Sequence, residues 1–146
     1  HCHHRTRRDI ITDKAFWGCE KLTSVTLGDS VTAIGVSAFE RTGLTGIDLN
    51  KVTDIGNYAF YGSKLTTVTA RGGKDWHGAF MNCADLTTAT VNGTKLDRYM
   101  FWYCTGLTTL IAPNVTEIDE CAELCDARYL ALKNCSDLKL CFLHTL

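Results

Sequence analysis

Ala15-Phe16-Trp17-Gly18-Cys19-Glu20-Lys21-Leu22 is a phrase that the chain repeats along its length. Ala38-Phe39, Ala59-Phe60, Ala79-Phe80 and Met100-Phe101 follow it at steps of 23, 21, 20 and 21 residues. Self-similarity at a period of roughly 20–29 residues marks a solenoid built from one short supersecondary unit per turn. A chain of 146 residues read this way is not one globular core but an array. Each unit touches only its neighbours, and stability is close to a sum of unit and interface terms. One unit alone buries too little apolar surface to offset the ordering of its backbone, so only stacking makes it stable. Such a molecule works through a surface.

Laid on one another, the units share a pattern. The first continues through Leu22, Val25 and Leu27 to Val31 and Ile34-Gly35; the second has Thr42, Leu44, Ile47, Leu49, Val52 and Ile55-Gly56. The third has Ser63, Leu65, Val68 and Ala70; the fourth Cys83, Leu86, Ala89 and Val91; the fifth Cys104, Leu107, Leu110, Ala112, Val115 and Ile118. The Leu-x-x-Val-x-Leu stretch alternates apolar and polar residues and is rich in Thr and Val, which predicts a short strand with one buried face. Successive turns set these strands side by side in a parallel sheet. Val-x-x-Ile-Gly predicts a second extended segment, and Ile-Gly-x-x-Ala-Phe-x-x-Cys a tight helical turn in which Gly permits the bend. Phe16, Phe39, Phe60, Phe80 and Phe101 share one phase, which predicts a single buried stack.

Two places break the pattern. Arg71–Gly78 lacks the Val and Ile anchors of the second segment, and Trp76 is placed to fill the gap. After Ile118 the register blurs through Cys121–Leu130 and half returns at Ala131–Leu138. The expected organisation is an irregular segment over 1–8, repeats over 9–118, and a degenerate repeat or cap over 119–146.

The unit resembles the BspA-type leucine-rich repeat, whose Ile-Gly-x-x-Ala-Phe element is matched here from Asp9 to Ile118. The resemblance implies a right-handed curved solenoid of short parallel strands. It also implies a cell-surface or secreted protein, an adhesin-like binder of host proteins or other cells, with no catalytic residues to carry over. The rival expectations are an intracellular scaffold and a structural spacer whose binding regions lie outside this segment.

Net charge is −1, with Lys and Arg scattered among Asp and Glu. No basic stripe follows the first eight residues, so the electrostatic footprint of a nucleic-acid binder is missing. His1-Cys2-His3-His4-Arg5-Thr6-Arg7-Arg8 is a terminal positive cluster, read as a solvated end or, with a free amine and His3, as a nitrogen site for Cu(II) or Ni(II). No run is long and apolar enough to span a bilayer. Asp9–Lys14 already matches the second half of a unit, so the array opens mid-unit, which predicts further repeats upstream.

Cys19, Cys83, Cys104 and Cys135 occupy one repeat position, which Thr42 and Ser63 also fill. A place taken by Cys, Thr or Ser calls for a small, weakly polar, buried group, and predicts reduced thiols at Cys19, Cys83 and Cys104. Cys83 and Cys104 stand in adjacent turns, about 4.8 Å apart at strand spacing, inside the rough Cα window for a bridge. In-register parallel side chains fit its torsion poorly. In the tail, Cys121, Cys125, Cys135 and Cys141 near His144 match zinc spacing badly and read as free thiols or a disulfide.

Nothing supports catalysis: there is no Gly-x-Ser-x-Gly, phosphate loop or His-Glu-x-x-His, and Asp75 and His77 flank Trp76 as chance would place them. No metal or cofactor is expected. Outward strand positions are more informative. Ser24 and Thr26, Gly46 and Asp48, Thr67 and Thr69, Thr88 and Thr90, then Thr109 and Ile111 form two columns. Thr suits strands through its branched Cβ, so the columns are either a well-ordered soluble face or a shallow polar contact for a protein or glycan partner. Candidate binding residues are Ser24, Thr26, Asp48, Thr67, Thr69, Thr88, Thr90 and Thr109. Sequons at Asn92, Asn114 and Asn134 matter only if a eukaryote secretes the chain.

Overall fold

The structure, a computed structural model, describes residues 10–71, 76–97, 99–118 and 131–133. Its strands are β1 (Ile10–Ile11), β2 (Ala33–Ile34), β3 (Asp54–Ile55), β4 (Thr67–Ala70), β5 (Thr88–Val91), β6 (Lys95–Leu96), β7 (Thr109–Ile111), β8 (Glu117–Ile118) and β9 (Ala131–Lys133). Every pairing among them is parallel. The Leu-x-x-Val-x-Leu segments build a sheet in the order β4-β5-β7-β9, with Thr67, Thr88, Thr109 and Ala131 side by side. Alternation holds: Val68, Ala70, Ala89, Val91 and Leu110 point into the core.

The Val-x-x-Ile segments form a second ladder in two pieces, β1-β2-β3 and β6-β8. The interruption falls at the unit whose anchors the sequence lacks; 72–75 lie outside the described residues. Trp76 is fully buried there, as expected.

The third side of each unit is a chain of turns rather than a helix, and its hydrogen bonding follows a simple rule. Ala15, Trp17 and Cys19 donate N–H to Thr12, Lys14 and Phe16 three residues back in their own turn. Lys14, Phe16 and Gly18 instead donate to Val36, Ala38 and Glu40 of the next unit. The same alternation continues to Asn82, which donates to Trp102. It requires a left-handed residue at two fixed places: Lys14, Ser37, Tyr58, Gly78 and Tyr99, then Gly18, Arg41, Gly62, Asn82 and Tyr103, all with positive φ. A left-handed residue in the third place of a four-residue turn is the type II signature.

The glycine of Ile-Gly has a different task from the expected one. Gly35 and Gly56 do not have positive φ. A Cβ on Gly56 would stand 2.6 Å from the carbonyl carbon of Gly35, and one on Gly35 would stand 2.7 Å from that of Thr12. Backbones of adjacent units meet here, and only a residue without a side chain fits.

The Phe stack is as the shared phase predicts. Ring centroids are 5.2, 5.4, 5.5 and 5.6 Å apart from Phe16 to Phe101, with the ring planes nearly parallel throughout. Leu44, Leu65, Leu86, Ile34, Ile55 and Val91 pack around it with almost no exposure.

Candidate binding face

The site begins with what holds the strands in register. Thr66, Thr87 and Thr108 donate Oγ1–H to the carbonyls of Thr45, Thr66 and Thr87 at 3.3, 3.1 and 3.3 Å, beside the N–H bonds to the same oxygens. These hydroxyls are consumed in cohesion between units. One residue on, Thr67, Thr88 and Thr109 make the first outward column, and Thr69, Thr90 and Ile111 the second. Thr67 and Thr69 are exposed, whereas Thr88, Thr90 and Thr109 are half-buried.

Ser24, Thr26 and Asp48 are exposed and extend this face, but not on regular strands. Segments 22–27 and 44–49, expected as strands, keep single ladder bonds from Thr45 N–H to Thr23 and from Thr66 N–H to Thr45, yet form no continuous pairing. The reason is local. Gly46 gives the sheet no side chain to pack, and Gly and Asp are both poor strand formers. Val25, Leu27 and Ile47 are only partly buried as a result.

That irregularity leaves relief in an otherwise smooth face. Gly46, Asp48, Asn50, Thr67 and Thr69 line a shallow depression of about 260 Å³ between the second and third units. Asp48 and Asn50 also border a neighbouring depression of about 260 Å³ with Thr26, Asp29 and Lys51. The Asp48 carboxylate accepts the Asn50 N–H at 2.9 Å, fixing the turn. Lys51 pairs with Asp29 at 3.5 Å. The structure thus gathers Thr26, Asp48, Thr67 and Thr69 around these hollows, while Thr88, Thr90 and Thr109 continue the face beyond them.

The cysteine position behaves as its Thr and Ser alternatives imply, with one correction. Cys83 and Cys104 are free and buried, and their thiols donate to the carbonyls of Phe60 and Phe80 at 3.1 and 3.0 Å. Thr42 donates instead to Phe39 of its own turn, at 2.9 Å. The Cys104 and Ser63 side chains lower the pKa of the Cys83 thiol, against burial, which raises it. With no exposure, that thiol cannot reach an electrophile. Cys19, expected to be reduced, is disulfide-bonded, and its partner lies outside the described residues.

The terminal His and Cys cluster, the tail cysteines with His144, Asp75 and the Asn134 sequon lie outside the described residues. Among the described residues no group of three metal-ligating side chains occurs, and no helix is long and apolar enough to cross a membrane. At the other two sequons, Asn92 is exposed and the Asn114 amide donates to the Asn92 carbonyl at 3.1 Å.

Sequence reasoning passed over the turn edge. Trp17, Tyr58 and Tyr103 are 51%, 41% and 56% exposed. Tyr58 packs edge-on against Tyr61, and Trp102 against both Tyr99 and Tyr103. The signal was present: six Trp and Tyr residues stand within two places of a repeat Phe.

No curated protein matches the chain in sequence. The crystal structure of a leucine-rich repeat protein from Bacteroides ovatus is similar to it, with a TM-score of 0.68 at 24% identity over 77% of this chain. The likeness shows the fold, and the chain spans 32% of that protein's length. The BspA type leucine rich repeat region matches residues 9–139 in six copies, reaching past Ile118 to include β9. With that match over most of its length and the parallel ladders and Phe stack behind it, the chain belongs to the BspA-type leucine-rich repeat family.

Proposed function

We propose that the chain is a non-enzymatic protein-interaction module of a cell-surface or secreted protein, and that it acts in adhesion through its sheet face. The observation that carries this is the two-column hydroxyl face with one carboxylate, flanked by shallow hollows and backed by a stack of rigid rings. Leucine-rich repeats use such extended surfaces for protein partners. The Cys19 disulfide supports the location, because disulfides persist in oxidising compartments and are rare in the cytosol.

The test is capture from cell-surface extracts by the wild type and by the triple variant Thr67→Lys, Thr88→Lys, Thr109→Lys. All three positions point outward, Thr67 exposed and Thr88 and Thr109 half-buried, and surface substitutions are usually worth within about 0.5 kcal/mol each, so the melting temperature should move by only a few degrees. Three added ammonium groups change the shape and charge of a shallow polar contact, and capture should be lost. Capture unchanged by the triple variant would relocate the site to the Tyr and Trp edge. Capture by neither version would leave the spacer reading.

A further inference from the structure

We infer that the hollow over Gly46 is a subsite for a basic side chain, an arginine or lysine presented by the protein partner. This rests on the sheet-face reading above and gives that face its chemistry. The first outward column runs Ser24, Gly46, Thr67, Thr88, Thr109, and Gly46 is the one place in it without a side chain. A Cβ built on Gly46 meets nothing within 4 Å, so the column has a true notch. The ladder bonds from Thr45 to Thr23 and from Thr66 to Thr45 put Ser24 on one side of that notch and Thr67 on the other.

The second column supplies the charge. Thr26, Asp48, Thr69, Thr90 and Ile111 occupy it from the first unit to the fifth, and among these five Asp48 carries the sole charged group; Lys133, in register with Ile111, lies at the far end of the column. The Asp48 carboxylate takes one N–H from Asn50 and forms no ion pair within the described residues. The nearby Lys51 is turned to Asp29 instead. A carboxylate has room for about four hydrogen bonds, and the hydroxyls of Thr67 and Thr69 on the same wall can accept as well as donate. Acceptors around a single negative charge, in a hollow of about 260 Å³, suit a guanidinium or ammonium group. An acidic or purely apolar side chain would leave Asp48 desolvated and unpaired, which is unfavourable.

Two substitutions separate shape from charge. Gly46→Thr completes the column and fills the notch without altering charge. Asp48→Asn removes the charge but keeps an Oδ1 acceptor for the Asn50 N–H. The probe is acetyl-Gly-Arg-Gly-amide, with the isosteric, neutral citrulline peptide as control, titrated into the full chain and followed by amide chemical shifts. Saturable shifts are expected at Gly46, Asp48, Thr67 and Thr69 with the arginine peptide and not with citrulline. Asp48→Asn should weaken binding about two- to fivefold, the range that an exposed ion pair contributes. Gly46→Thr should abolish it while the remaining spectrum stays that of the folded chain.

Equal affinity for both peptides, no saturable shift, indifference to Gly46→Thr, or shifts spread over Asp29, Glu20 and Glu40 would each overturn the subsite. Protein capture lost in the triple lysine variant but kept in both single variants would sink this inference and leave the sheet-face reading standing. Capture indifferent to the triple variant would sink that reading first.

Discussion

The turn edge and the strand face are built from the same units, yet one is regular throughout and the other is not. On the turn edge the inter-unit N–H bonds recur from Lys14 to Asn82, and the ring stack runs from Phe16 to Phe101. On the strand face continuous pairing begins only at Thr67. The turns depend on residues with little freedom: a Phe that fills the layer, and a Gly where backbones touch. The strands depend on what stands outward, because β-branched side chains favour the extended chain and Gly and Asp do not. The third to fifth units present β-branched Thr or Ile there; the second presents Gly46 and Asp48. The regular side holds the molecule together, and the irregular side has room for a partner.

Breaking the regular side should therefore matter most. Replacing Phe60 by Ala removes the middle ring of the stack and should cost about 3–5 kcal/mol, as for other buried aromatics. Denaturant titration measures it, and a loss under about 1 kcal/mol would mean that the stack is not the principal tie between units.

Gly56→Ala probes the same side more finely. The added Cβ meets the backbone of Val36 and Gly35, which cannot swing away as a side chain could. Overpacking of this kind costs about 1–3 kcal/mol. A neutral or stabilising result would show that adjacent turns can separate at this point.

The smallest effect, with the opposite sign, belongs to the irregular side. Gly46→Thr places a β-branched residue in open space at a position without positive φ. Relief of glycine's chain entropy should raise stability by about 0.5–1 kcal/mol. Thermal unfolding reads the gain. A loss would mean that the hollow is a constrained feature rather than a missing side chain.

What the sequence made legible follows the same division. The period, the parallel sheet, the Phe stack, the gap near Trp76 and the buried thiols of Cys83 and Cys104 all follow from residues that recur in phase. The exceptions were harder. Leu44–Leu49 has the apolar spacing of a strand, and only the packing shows that Gly46 weakens it. Cys19 matches the other cysteines in phase yet is disulfide-bonded, and phase does not encode a bonding partner. Ile-Gly reads as a bend because glycine is common in bends; the approach of the preceding unit's backbone exists only in three dimensions. The Trp and Tyr residues of the turn edge stand beside Phe16, Phe60 and Phe101 but not beside Phe39 or Phe80, so no constant repeat phase marks them.

The alternation of N–H bonds along the turns also bears on how the gene could change. Each unit gives every second N–H of its turns to the next and receives the same from the one before, so the join between any two regular units is nearly interchangeable. A duplication of one 21-residue period, such as the step from Ala38 to Ala59, could be accommodated wherever flanking turns keep their two left-handed positions. An extra copy inserted after Phe80 would lengthen the array and leave the Gly46 hollow untouched, because both of its walls lie earlier in the chain. The same insertion between Gly46 and Thr67 would replace one wall with a foreign unit. Growth of the array is thus permitted at one end of the face and constrained at the other, and copy number could drift between relatives while a short stretch of two units keeps its length.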